Sequence, residues 1–404
     1  MKKRIVAMLL LTAMMGITGC QQSSEAAPER TREVEVTYDL EDYDISTRDH
    51  MINMMDYLSS QNQGENILIS GTSIDMALGM TMQGASGESL SALEDFFGDD
   101  ADTVSEYSAA LIGRYDDIRG VDVLISNAIY CDEDCRFMKE YASQLESMYG
   151  AEASELEFHD DPEGSAKVIN QFCKDSTDGM IPEIVSPDLV EGSDTILVNA
   201  IYFNGKWKKG FDEDHVSDMT FNNVSVDTTT VQGMRSKISY IYENDNAIAF
   251  AYEYKDDSIV FIGILPDESI CDADGNFDMA DIDIDGLLDS RKRNDAMFEI
   301  PKFELEYGTS LDDALKNEGL ECLYENMDLT KMAESPLGVS TVVHKVKVEI
   351  DEEGTKASAA TAVSNKKNAI DDDYKMIILD RPFAFMIYDT ETDTALFMGK
   401  VVDL

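Results

Sequence analysis

The chain has 404 residues, 43% of them hydrophobic, which supplies a large core and excludes a wholly disordered protein. Its 81 Asp and Glu against 32 Lys and Arg give a formal net charge of −49. So acidic a surface disfavours nucleic acid and anionic lipid head groups as partners, and its self-repulsion favours a soluble monomer.

The N-terminus reads as a secretory signal over 1–19. Lys2, Lys3 and Arg4 precede an apolar run from Ile5 to Met15 that is too short for a stable span. Ile17-Thr18-Gly19-Cys20 resembles the bacterial lipobox, in which the cysteine becomes lipid-modified and then N-terminal. An ordinary signal peptide with a chance cysteine is the alternative. Cleavage before Cys20 removes three cations and no anions, which takes the net charge to −52. Several acyl chains hold firmly where one would not, so the expected location is the bacterial cell surface or extracellular space, with a membrane contact through the anchor. Residues 20–44 are polar and read as a lipidated tether.

Globular patterning covers 45–404. Met51, Met54, Met55 and Leu58 fall at helical spacing, as do Ile74, Leu78 and Met82, and helix-like stretches follow at 88–97, 103–116, 137–149 and 163–178. Strands are expected from Val121 to Ile125 leading into Ile129-Tyr130, and from Ser154 to Phe158. Thr195 to Phe203 is almost continuously apolar, as a strand covered on both faces should be. Beyond 216 strands dominate. With no repeat and no break, one α+β domain is expected.

Polar residues inside two of these strands stand out. Asn199 interrupts the apolar run, and in Val342 to Ile350 period two puts His344 on the same face as Val346, Val348 and Ile350. Each needs a partner if buried, and each could serve the other.

Enzyme chemistry has no foothold. Of four histidines, none lies in His-Glu-x-x-His or near a second, and there is no Gly-x-Ser-x-Gly elbow and no phosphate-binding loop. No metal site or cofactor is expected. A calcium loop starting at Asp272 would put Phe277 where its sixth-position glycine belongs, so that stretch reads as a solvated acidic loop. The five cysteines after Cys20 form no framework; only Cys131 and Cys135 are close enough in sequence for a local bridge, and free, partly buried thiols are expected.

Four stretches resemble the serpin family. The first runs from Asn66 to Ile74 with Gly84-Ala85-Ser86-Gly87, where Gly71 stands in place of the usual proline and is expected to loosen the turn. The second is Leu197 to Trp207. The third is His344-Lys345 leading into Glu352-Glu353-Gly354-Thr355. The last comprises Asp380 to Phe385 and Leu396 to Val401. The resemblance implies the serpin fold: a single domain with a large central mixed β-sheet, two further sheets, about eight or nine helices, and an exposed reactive loop at about 354–376. It also implies roles. Ser70, Ser73, Asn199 and His344 form the shutter under the central sheet; Trp207, Lys302 and Glu352 form the breach at its top. Glu352, Gly354, Thr355, Ala357, Ser358, Ala359 and Ala360 form the hinge.

The hinge is small and free of proline, as a segment that slides between two strands must be, although by itself such a run also fits an Ala-rich helix or linker. Thr355 is expected to be the first loop residue to enter the sheet. Family spacing puts the scissile bond at Asn368–Ala369, with Lys367–Asn368 or Ala369–Ile370 one residue to either side. The expected partner is a serine, or cysteine, endopeptidase trapped as an acyl-enzyme. The alternative is a non-inhibitory surface binding or adhesion protein on the same fold.

Overall fold

A computed structural model of the chain describes Leu40, Tyr43 and residues 45–404 except 63, 226, 325–326, 335–338 and 356–373. The first half alternates helices and strands: α1 (Arg48–Gln61), β1 (Ile67–Ile69), α2 (Gly71–Gly84), α3 (Gly87–Phe97), α4 (Ala101–Asp117), β2 (Val121–Asp132), α5 (Lys139–Tyr149), β3 (Glu152–Leu156), α6 (Pro162–Ser176), α7 (Pro187–Glu191) and β4 (Thr195–Lys206). Strands then dominate, as the sequence indicates: β5 (Val216–Asn222), β6 (Thr228–Glu243), β7 (Ala247–Glu253), β8 (Ile259–Pro266), α8 (Ile284–Asp289), β9 (Lys292–Pro301), β10 (Phe303–Ser310) and α9 (Asp312–Asn317). The chain closes with β11 (Thr341–Ile350), β12 (Gly354–Thr355), β13 (Lys375–Ile378), β14 (Phe383–Asp389) and β15 (Thr394–Val401).

Local chemistry explains where the helices start and stop. Ser70, Asp100, Asp161 and Ser186 each accept a backbone N–H in the first turn of α2, α4, α6 and α7, and Pro162 and Pro187 occupy first positions where no N–H is missed. Helices α3 and α5 end on Gly98 and Gly150, both left-handed.

A six-stranded mixed sheet runs β10-β11-β12-β4-β2-β3, and a nine-stranded one runs β1-β15-β14-β8-β7-β6-β9-β13 with β5 on β6. The two further sheets expected from the resemblance are both present, one of β1, β15, β14, β8 and β7 and the other of β5, β6, β9 and β13, and they are continuous through β6. The 16-residue β6 joins them, pairing β5 and β9 over most of its length and β7 only at Tyr242 and Glu243.

Strand β4 is covered on both faces. Leu197, Ile201 and Phe203 face the main core, while Ile196, Val198 and Ala200 pack with Ala166, Ile169 and Cys173 of α6. Such a strand has no solvated face to carry polar side chains, which is why Asn199 must be answered from inside the protein.

Candidate functional site: a partly opened strand pair

Strands β4 and β11 run parallel and pair directly over four residues only, from Thr341↔Ile196 to His344↔Asn199. Above that pair the ladder stops. Among the described residues, Lys345–Glu349 and Ala200–Asn204 do not pair with each other, although the outer edges of both strands stay fully laddered to β10 and β2. At the top the gap is bridged by β12, where Thr355 pairs with Ile350 on one side and Gly205 on the other. Among the described residues this leaves a slot five residues long, roughly 17 Å at strand rise, between a closed lower end and a filled upper end.

The lower end is held from α2. The Ser70 N–H donates to His344 Nε2 at 3.2 Å, and the Ser73 hydroxyl donates to the Asn199 side-chain oxygen. The Asn199 amide donates in turn to Asn127 in β2, whose own amide donates to the Tyr149 carbonyl at 3.2 Å. All five residues of the cluster, Ser70, Ser73, Asn127, Asn199 and His344, are buried. Asn199 and His344 therefore do not bond each other, as their shared need for partners allowed; each is held at the start of α2 instead. Burial lowers the His344 pKa to about 4, so the ring is neutral and its Nε2 is free to accept. Gly71 does not loosen a turn. It is the first residue of α2, and a Cβ there would run into the Met51 thioether.

The upper end is built from aromatics and a tight turn. Trp207 stacks on Tyr254 at 4.5 Å and meets Phe211, Tyr252 and Phe261 edge-on or tilted. Its indole N–H donates to the Asp351 carbonyl at 2.8 Å, and its backbone N–H donates to the Glu353 carbonyl at 3.0 Å. The Asp351 carboxylate accepts the Glu353 and Gly354 N–H groups at 2.8 and 3.0 Å, closing the turn that sends the chain back into the sheet. Lys302 and Glu352 form an ion pair at the rim. Burial works to raise the Glu352 carboxyl, but the Lys302 hydrogen bond and a backbone amide outweigh it and hold the group below its usual range.

Gly354 matters for close approach. A Cβ there would lie 2.7 Å from Lys206 Cα and press on the Gly205 carbonyl, so no side chain fits against β4. Thr355 is a correction to the sequence reading: it is already inside the sheet, 1% exposed, with its hydroxyl 2.6 Å from the Tyr254 phenol. Burial pushes that phenol well above its ordinary pKa, so it stays protonated.

Sequence reasoning missed Asn127, Asp351 and Tyr254. Asn127 carried a signal, since it breaks the apolar stretch of β2 as Asn199 breaks that of β4, and the two are register partners. Asp351 and Tyr254 carried none. Of the hinge, Ala357, Ser358, Ala359 and Ala360 lie outside the described residues, and so do the bond residues Lys367, Asn368 and Ala369 and the lipid-attachment residue Cys20. Cys131, Cys135, Cys173, Cys271 and Cys322 are unbridged, and Cys131 and Cys135 are buried side by side in one small cluster. The Asp272 carboxylate accepts the Asp274 and Asn276 N–H groups of its own acidic loop.

The Serpin (serine protease inhibitor) family model matches residues 46–404. The chain belongs to the serpin family. Leukocyte elastase inhibitor A of Mus musculus is 30% identical to this serpin over 361 residues, 85% of the chain and 94% of the relative. An uncharacterized serpin-like protein of Methanosarcina mazei is 28% identical and spans 98% of the chain and 97% of its own length. Among solved structures, the thermophilic serpin tengpin in its native state superposes with a TM-score of 0.77 at 28% identity, covering 89% of this chain and 93% of that one. Human thyroxine-binding globulin complexed with thyroxine shares the fold at a TM-score of 0.78 and 22% identity, covering 88% and 97%. Members of the family mostly inhibit proteases, and non-inhibitory members exist.

Proposed function

We propose that this serpin traps a serine, or cysteine, endopeptidase by a suicide-substrate mechanism. The observation that carries the reading is the slot between β4 and β11, with Gly354-Thr355 already seated at its mouth. The peptidase nucleophile attacks the carbonyl of Asn368, the amine of Ala369 departs, and an acyl-enzyme forms. The N-terminal part of the loop then enters the sheet.

Two independent registers agree on its path. Continuing antiparallel from Thr355↔Ile350 and from Thr355↔Gly205, residues 356–360 fill the slot, and Thr361 reaches the level of His344 and Asn199. Lys356 is the one charge in that stretch; Ala357, Ser358, Ala359 and Ala360 are all short. Beyond Thr361 the strand advances only by displacing the four β4–β11 pairs. Asn368 would come to lie roughly 44 Å below Thr355, at about 3.4 Å per residue, dragging the acylated peptidase with it. The dozen or so ladder hydrogen bonds gained, at a net ~1 kcal/mol each, rival the stability of a whole domain. The intact form therefore persists kinetically. Serpin loop insertion is a known case of strand addition and released strain.

A denaturing gel tests this. Wild type mixed with trypsin-like, elastase-like, subtilisin-like and asparagine-cleaving peptidases should yield a covalent complex larger than either partner, and the cleaved chain should melt well above the intact one. No complex and no rise in melting temperature would leave the non-inhibitory binding module in its place. We propose further that the mature monomer is held at the bacterial surface through Cys20, supported by Ile17-Thr18-Gly19-Cys20. Cys20→Ala should abolish palmitate incorporation and free the protein from the membrane fraction.

A further inference from the structure

Cys131 and Cys135 flank one tight turn beneath the floor of the slot. Cys131 is the last residue but one of β2, where it pairs with Thr195 of β4 and Glu155 of β3. The strand ends at Asp132, whose carbonyl accepts the Cys135 N–H at 2.9 Å. The Asp132 carboxylate accepts the N–H groups of Asp134 and Phe158 at 3.2 and 3.0 Å, which fixes the turn from both sides. It closes on Arg136, a non-glycine residue held in the left-handed region at φ 55°. This path folds the two cysteine side chains onto each other. Both are buried and packed with Ala333 and Phe137, and their thiols share a hydrogen bond.

The same turn joins the two sides of the slot. Toward β4, the Asp132 N–H donates to the Asp194 carbonyl at 3.1 Å. On the other side it meets the segment that precedes β11. Phe137 bridges Ala333, the Met138 N–H donates to the Met332 carbonyl at 2.8 Å, and the Glu334 N–H donates to the Arg136 carbonyl at 3.0 Å.

We propose that Cys131 and Cys135 are a disulfide-forming site, oxidised by an external disulfide as the chain folds, and that the bridge stiffens this turn. One cysteine thiolate attacks the external disulfide, releases its first thiol and leaves a mixed disulfide. The second thiolate attacks the protein sulfur of that mixed disulfide and releases the other thiol. One S–S bond forms for one broken, and the two cysteine protons leave on the two thiols released. The cysteine pair loses the electrons that the external disulfide gains. The timing follows from the surroundings. In the folded protein the hydrogen bond to Cys135, burial, and the carboxylates of Glu155 and Asp132 hold the Cys131 thiol well above its ordinary pKa. Arg136, the one cation in the turn, is exposed. Little thiolate forms there and an external disulfide has no approach, so exchange belongs to the stage before the turn is buried. The same shielding then protects the finished bridge from reductants.

The test needs no target peptidase. Reduced, unfolded chain is refolded in a mixture of oxidised and reduced glutathione, beside protein that was reduced but left folded in the same mixture. Remaining thiols are alkylated and the soluble protein is cut with trypsin, which leaves both cysteines in one peptide, residues 120–136. From the refolded sample this peptide should come out unalkylated and lighter by the hydrogens lost. In protein left folded the bridge should form more than about tenfold more slowly. Amide hydrogen exchange at Met138 and Glu334 should be slower in bridged than in reduced wild type. Cys135→Ser should form no bridge in this peptide. A refolded peptide alkylated at both cysteines, a lasting glutathione adduct, or a bridge to Cys173, Cys271 or Cys322 would overturn the site. Equal rates of bridging in the two samples would overturn the timing, and equal amide exchange would overturn the stiffening.

Discussion

The two ends of the β4–β11 slot hold it by opposite means. At the lower end five buried side chains satisfy one another and the start of α2, with no charge among them. At the upper end an indole, a tyrosine and a four-residue turn hold Gly354 and Thr355 in place, with a Lys302–Glu352 pair whose side chains are 27% and 43% exposed at the rim. A buried neutral network fails abruptly, because each member lost strands another without a partner. A rim of stacked rings and solvated charge fails by degrees. The slot thus has a charged rim that yields easily and a floor that does not.

Substitutions should separate the two. The largest effect is expected from Thr355→Arg, which drives a charge into a 1% exposed site at the mouth. It should destabilise intact protein by more than about 3 kcal/mol, measured by urea unfolding. Ala359→Arg, with the same charge further along the loop, should leave intact stability near wild type and convert inhibitor into substrate, read as cleaved chain with active peptidase. Equal destabilisation by both would erase the distinction between seated and unseated hinge.

Next comes acid. With the His344 pKa lowered to about 4 by burial, and about 6.5 unfolded, the unfolded chain binds the proton first. The stabilisation tied to the neutral ring is therefore whole above pH 6.5 and is lost as pH falls from there to about 4. That loss amounts to at most about 3 kcal/mol. Wild type should lose that much relative to His344→Gln over the window. A constant gap between the two would refute the assignment.

Asn199→Ala leaves the Ser73 hydroxyl and the Asn127 oxygen unanswered and should cost about 2 kcal/mol. It should also hasten spontaneous loop insertion on mild heating, followed as a gain in melting temperature without cleavage. Smallest is Lys302→Ala at the rim, expected to change stability by less than about 1 kcal/mol while making the Glu353–Gly354 bond more accessible to limited proteolysis. A larger effect at the rim than at Asn199 would invert the comparison.

These same two ends differ in how far they were legible in the sequence. The floor announced itself: Asn199 and His344 are polar residues on faces that period two makes apolar, and burial obliges such groups to find partners. What stayed hidden was the partner of His344, because a backbone N–H of Ser70 has no residue-type signature. Gly354 was read from the sequence as a hinge, whereas the press of the β4 backbone that leaves room for glycine alone needs three dimensions. That Thr355 is already seated depends on Tyr254 and Asp351, distant in sequence or unremarkable in type. The overall fold was legible from the motifs and the order of helices and strands, whereas the fusion of two sheets through β6 depends on which neighbour each end of a long strand meets.

The short parallel ladder has a mechanical consequence. On the proposed mechanism, a strand entering from Thr355 would load the four pairs from one end, so that they peel in turn and do not shear together. The pair it meets first is His344↔Asn199, the one with the α2 latch. Resistance is thus greatest at the outset and smaller for Val343↔Val198, Val342↔Leu197 and Thr341↔Ile196. A strand that halts should halt above residue 344, with Thr361 just short of the latch, and one that passes it should run to the end. Partial insertion beyond that point has no resting place.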